Sequence, residues 1–147
     1  MSEVKVSKPH IRWGIRRDMT EIMAIENATY REPWTEDQFI EYLKRRDMVL
    51  LVAELNDQVV GYCLYQLGKR RLTLFNLTVA EWHRRDGIGK MFVDKVKGKL
   101  SSFRKPTCQV TAGERNVTAQ LFLRSQGFQC VETRKNPDDE DAYFFQW

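Results

Sequence analysis

Histidine is scarce in this chain of 147 residues, with only His10 and His83 present. The three cysteines, Cys63, Cys108 and Cys130, are scattered, and no Cys-x-x-Cys pair occurs. A metal site therefore has almost nothing to be built from, and an odd, dispersed set is a poor disulfide framework. All three cysteines sit in apolar, strand-like stretches, so reduced, buried thiols in a cytoplasmic protein are the expectation. The first residues hold no apolar segment of the secretory type, and no run reaches membrane-spanning length, so no membrane partner is expected. Internal repeats, linkers and low-complexity tracts are missing as well, which leaves one domain over 1–147.

What is present suits a soluble globular domain with a real core. Hydrophobic residues make up 42% and charged residues 30% of the chain, outside the range of disordered sequences. At this size about two-thirds of the unfolded surface is buried on folding. The formal charge of +4 is mild. It favours anionic ligands in general rather than nucleic acid, because the lysines and arginines are spread out and partly matched by acids, and no nucleic-acid motif occurs.

The local patterns alternate between strand and helix. "HIRWGIR" (10–16) reads as a strand, and Asp18 is placed to cap a helix carrying Met19, Ile22, Met23 and Ile25 and fading near Tyr30. Thr35 and Gln38 form a capping box for a second helix with Phe39, Ile40, Tyr42 and Leu43. "MVLLVAEL" (48–55) and "VVGYCLYQL" (59–67), joined by "NDQ", read as a hairpin, and "RLTLFNLTV" (71–79) as a third strand of that run. A helix from about Gly87 to Leu100 follows, with Ile88, Met91, Phe92, Val96 and Leu100 on one face. "PTCQVTA" (106–112) is a strand. Asn116 caps a helix that stops before Gly127. "FQCVETR" (128–134) and "AYFFQW" (142–147) are two last strands around the polar turn "NPDDED". This order predicts an α/β fold with a mixed sheet of about six to seven strands covered by four helices.

"HRRDGIGKMF" (83–92) stands between a strand and a helix. The first helical turn has N–H groups with no internal partner, and the macrodipole makes that end positive. Glycine allows positive φ and close approach of a ligand. Together with Arg84, Arg85 and Lys90 the stretch forms an anion cradle suited to phosphate, although a short Gly-x-Gly at a helix start is often no more than a tight turn. It lacks the GxxxxGK[ST] spacing of a Walker loop and the third glycine of the dinucleotide fingerprint.

Four segments in order carry a family resemblance. "LFNLTVAEWHRRDGIGKMF" resembles the central motif of the GNAT superfamily of acyl-CoA-dependent N-acyltransferases, a strand followed by Arg/Gln-x-x-Gly-x-Gly/Ala and a helix. "NVTAQLFLRSQGF", with Asn116, Ala119, Phe122, Gly127 and Phe128, resembles its second motif. "EPWTEDQF" and the closing "DEDAYFFQW" resemble the RimI group, which acetylates ribosomal-protein N-termini. The resemblance implies a GNAT fold and acetyl-CoA as co-substrate. It implies that Arg85, Asp86, Gly87, Ile88, Gly89 and Lys90 hold the pyrophosphate, with Arg84 opening the motif. It also implies that Leu77, Thr78 and Val79 offer backbone groups to the pantetheine, and that Asn116 reaches the cofactor. For Asn116 a plain helix cap is the other reading, and both can hold at once. Tyr30 and Trp34 flank the loop that borders the acceptor groove in this family; they shape the groove or staple the helices to the sheet.

The chain departs from the RimI pattern where proton transfer is concerned. The family's general base, five residues before the motif asparagine, falls on Thr111. Its general acid, seven residues after, falls on Leu123. Neither residue type moves a proton, which leaves the catalytic groups unassigned. Glu114 and Tyr143 are the remaining candidates, and His83 adjoins the cradle rather than the amine. The implied activity is acetyl transfer to an amine, first a protein or peptide α-amine, by direct attack in a ternary complex. A small-molecule amine acetyltransferase and a non-catalytic acyl-CoA sensor are the alternatives. Monomer and homodimer are both compatible with the sequence.

Overall fold

The computed structural model describes residues 8–102 and 107–147. Seven strands form one mixed sheet: β1 (His10–Trp13), β2 (Met48–Leu55), β3 (Gln58–Leu67), β4 (Arg71–Val79), β5 (Thr107–Gly113), β6 (Gln129–Arg134) and β7 (Ala142–Gln146), in the spatial order β1-β2-β3-β4-β5-β7-β6. Four helices accompany them: α1 (Met19–Thr29), α2 (Glu36–Leu43), α3 (Ile88–Ser102) and α4 (Val117–Ser125). Among the described residues no helix is long and apolar enough to cross a membrane.

The chain divides into two compact units. The first holds the described residues up to Leu64 together with Asn76–Phe92; the second holds Tyr65–Phe75 and the described residues from Val93 to Trp147. In the first unit β1 pairs antiparallel with β2, His10 opposite Glu54 and Trp13 opposite Leu51. The turn after β2 is a two-residue loop. Asn56 and Asp57 both take positive φ, 53° and 62°, the type I′ geometry whose twist matches a hairpin. Ile22, Phe39, Val52, Ala53, Tyr62, Leu64, Ile88 and Phe92 are fully buried or nearly so. In the second unit β4 runs parallel to β5, Arg71 opposite Thr107. β5 pairs antiparallel with β7, and β7 with β6, where the register shifts between Cys130 and Glu132. Tyr65, Leu72, Val93, Val96 and Cys108 lie at the centre of that core.

Four expectations need correction. Asp18 does not cap α1: its carboxylate accepts from Arg12 Nη1 and Nη2 at 2.8 and 2.9 Å and from the Ile15 N–H at 2.8 Å, so its lone pairs are used outside the helix. A 3₁₀ turn at Arg16–Asp18 follows, and β1 accordingly ends at Trp13, before the predicted Arg16. On α1 the buried positions are Met19, Ile22 and Glu26, while Ile25 is only half-buried; the inward stripe runs i, i+3, i+7 and places a carboxylate in the core. Cys63 and Cys108 are buried as expected, but Cys130 is exposed, because β6 is the last strand of the sheet order and all its residues face solvent.

Candidate active site

The cradle is assembled from the end of β4 onward. The Ala80 N–H donates to the Val60 carbonyl at 2.8 Å and fixes the exit of the strand. A 3₁₀ turn, Glu81–His83, reverses the chain, and Arg84 folds back so that its Nε donates to the Val79 carbonyl at 3.1 Å. Two residues then take left-handed backbone, Arg85 at φ 69° and Gly87 at φ 81°. The Gly87 carbonyl accepts the first helical bond of α3, from Met91 N–H at 3.0 Å. Ile88, Gly89 and Lys90 therefore form the first turn of α3. Ile88 anchors this turn with a buried side chain, while Arg84, Arg85, Asp86, Gly87 and Lys90 are exposed. A Cβ placed on Gly87 would meet nothing within 4 Å, so the space beside this glycine is open. His83 Nδ1 lies 3.9 Å from Asp86 Oδ2. Left-handed backbone, a helix start and exposed basic side chains are together what a diphosphate requires.

A buried polar network lies beside the end of β4. Glu26 is 1% exposed, and its carboxylate accepts from three donors: Tyr62 Oη at 2.6 Å, Asn76 Nδ2 at 2.8 Å and the Trp34 N–H at 3.0 Å. The Thr78 hydroxyl donates to Asn76 Oδ1 at 2.6 Å, and the Tyr30 hydroxyl lies 2.6 Å from the same Thr78 oxygen. Burial pushes the Tyr30 phenol above its ordinary pKa, against a smaller opposing effect of the Thr78 bond. Burial also raises Tyr62, reinforced by the hydrogen bond to Glu26. Trp34 stacks on Tyr42 and tilts against Phe39, both at 5.1 Å between ring centroids. Its ring thus staples α2, and the Thr35–Gln38 box closes the start of that helix at 3.2 and 2.8 Å.

The other predicted site residues belong to the second unit. Thr111 is exposed on β5, opposite Phe144 of β7. Leu123 is buried on α4. Glu114 does not offer a free carboxylate: its Oε2 accepts the Asp141 N–H at 3.0 Å, and its own N–H donates to the Asp141 carbonyl at 2.7 Å. Tyr143 is half-buried between Ala112 and Thr133 in the sheet. Asn116 caps α4 by accepting the Ala119 N–H at 3.1 Å. Gly127 closes the same helix at φ 90°, with Gly127 N–H on the Arg124 carbonyl and Phe128 N–H on the Leu123 carbonyl, both at 3.0 Å. This is the paired C-terminal stop that favours glycine.

A family model described as "Acetyltransferase (GNAT) family" matches residues 19–128. The chain belongs to the GNAT family. Among its GNAT relatives, a [Ribosomal protein bS18]-alanine N-acetyltransferase of Haemophilus ducreyi is 24% identical, covering 83% of this chain and 83% of that protein. An N-alpha-acetyltransferase of Sulfurisphaera tokodaii is 26% identical over 97% and 95% of the two chains. The ribosomal-protein-S18-alanine N-acetyltransferase from Escherichia coli shares the fold with a TM-score of 0.85 at 21% identity, over 95% of this chain and 92% of that one.

Reading the GNAT motifs from sequence marks the glycine turn before α3 but does not point to Glu26, Tyr62 and Asn76. A signal for Glu26 was available: it stands seven residues after Met19 and four after Ile22, on the stripe that a helix turns inward. A carboxylate at such a position needs partners. Asn76 and Tyr62 carry no comparable signal, since their meeting with Glu26 depends on strand placement.

Proposed function

We propose that this GNAT protein transfers the acetyl group of acetyl-CoA to the α-amine of a protein or peptide. The carrying observation is the open turn before α3, where Arg85 and Gly87 take positive φ beside exposed Arg84, Arg85 and Lys90. In this reading the N–H groups from Arg85 through Asp86, Gly87, Ile88, Gly89 and Lys90 hold the diphosphate. The backbone of Leu77, Thr78 and Val79 pairs with the amide-rich pantetheine as an added strand would. Tyr30 borders the acceptor, and Trp34 holds the loop beneath it. The neutral acceptor amine attacks the thioester carbonyl, the new C–N bond forms, the C–S bond breaks, the thiolate leaves, and the surplus amine proton passes to that thiolate or to solvent.

Proton transfer at the family positions is absent, since Thr111 and Leu123 cannot supply it. A general acid or base is worth about 10²–10⁴-fold, whereas positioning contributes about 7–11 kcal/mol, so positioning sustains turnover. An α-amine with a pKa near 7.7–8.0 is already about a tenth neutral at pH 7, and the names of the relatives support an α-amine acceptor. The same two positions favour a second reading, an acyl-CoA sensor without turnover.

The deciding experiment offers acetyl-CoA with matched peptides bearing free and blocked N-termini and reads products by mass. Acetylation of the free peptides alone is expected. Tight acetyl-CoA binding without any acetylated product would make the chain a sensor, and product from blocked peptides would move the acceptor to a side chain.

A further inference from the structure

The hydrogen-bond chain behind Tyr30 has only one consistent direction. Asn76 Nδ2 donates to Glu26 Oε1, a carboxylate oxygen that also accepts from Tyr62. That fixes the Asn76 amide with Oδ1 toward Thr78, and an amide oxygen carries no hydrogen. Thr78 must therefore donate to Asn76, at 2.6 Å. A threonine hydroxyl has one hydrogen, so Thr78 has none left for Tyr30, and Tyr30 must be the donor in their 2.6 Å contact. The phenol oxygen is thereby left with lone pairs and no available hydrogen. Thr78 is 2% exposed and Glu26 1%, which shields the chain from water, whereas Tyr30 is only half-buried.

We infer that Tyr30 accepts a hydrogen bond from the N–H of the attacking amine, and that Glu26, Asn76 and Thr78 are positioning residues that hold its hydroxyl in the accepting orientation. This rests on the proposed acetyl transfer, which sets the thioester at the Thr78 end of β4. Tyr30 keeps its own proton throughout, so no proton is relayed to Glu26. As the nitrogen attacks it gains positive charge and its N–H becomes a stronger donor. The bond to Tyr30 therefore strengthens toward the transition state, and its loss falls on kcat more than on the KM of the amine. A tyrosine that merely walled the groove would act on KM.

The test measures kcat and peptide KM at saturating acetyl-CoA, using a mixed library of free-N-terminus peptides. Tyr30→Phe is expected to lower kcat about ten-fold, the worth of one hydrogen bond, with CoA affinity by calorimetry unchanged. Thr78→Val is expected to do the same, and Thr78→Ser to recover most of that loss. In a Tyr30→Phe background Thr78→Val should not lower kcat further, because both act through one hydroxyl. Thermal melts identify any variant that fails to fold, and Tyr30→Phe, which leaves the buried chain its other partners, carries the test if those variants are lost. Unchanged kcat in Tyr30→Phe, or losses that add in the double variant, would overturn the inference while acetyl transfer stands. A wild-type protein that binds CoA but turns over no peptide would instead remove acetyl transfer itself, and the role of Tyr30 with it.

Discussion

Gly87 combines two demands that separate under mutation. Its φ of 81° is costly for any residue with a Cβ, about 1–2 kcal/mol. Its surroundings are open, so a methyl group meets no obstacle there. Gly87→Ala is therefore expected to lose about 1 kcal/mol of stability by urea unfolding, a backbone effect without a clash. Gly87→Asp carries the same kind of backbone cost, reduced because Asp tolerates left-handed backbone better than most residues. It also places a negative charge in the turn proposed to hold the diphosphate. CoA affinity by calorimetry should then fall far more for Asp than for Ala, although the Asp variant is no less stable. Equal affinities in the two variants would mean that the turn binds no anion.

At the scale of elements, β1 is tied to the start of α1 through charge. Arg12 bridges Asp18 and Glu54, with Asp18 almost fully buried. The Arg12 hydrogen bond is the main reason that Asp18 is held below the usual carboxylate range, burial opposing it and the Ile15 N–H assisting. A depressed folded pKa means stability that is present above the unfolded value near 3.9 and lost as pH falls through the folded one. Asp18→Asn is expected to cost about 2 kcal/mol at pH 7, and the gap to wild type should close in urea titrations taken progressively below pH 4. A gap independent of pH would assign the loss to packing. This tie also marks how far sequence reading reaches. The start of α2, the I′ turn at Asn56-Asp57 and the stop at Gly127 were legible because each is decided by neighbours within a few residues. Asp18 was misread because Arg12 outcompetes the helix N–H groups for its oxygens. Cys130 was misread because the insertion of β7 between β5 and β6 leaves β6 last in the order, and strand order is a long-range outcome. The cradle was legible as a motif; the Glu26 network was not, since it joins α1, β3 and β4.

For the reaction as a whole, the question is which group sets its dependence on pH. Thr111 and Leu123 do not titrate in the relevant range, and the Glu114 carboxylate is engaged by the Asp141 N–H. Burial keeps the Tyr30 phenol protonated through neutrality and beyond, and the buried Cys108 thiol is pushed up to about 12. His83 sits in the cradle with Asp86 and not in the Tyr30 network. On the proposed mechanism the acceptor arrives neutral from bulk water, and its own pKa governs the rate. For a peptide α-amine, kcat/KM should rise about ten-fold per pH unit below 7 and level off above about 8. A lysine acceptor would carry the rise on toward about 10.4, so the position of the plateau reads the class of amine directly. The measurement is the pH profile of kcat/KM for one free-N-terminus peptide, repeated with His83→Gln to separate any titration in the cradle. A break near pH 6 that survives in His83→Gln would mean that a protein base takes the proton, and positioning alone would no longer account for turnover.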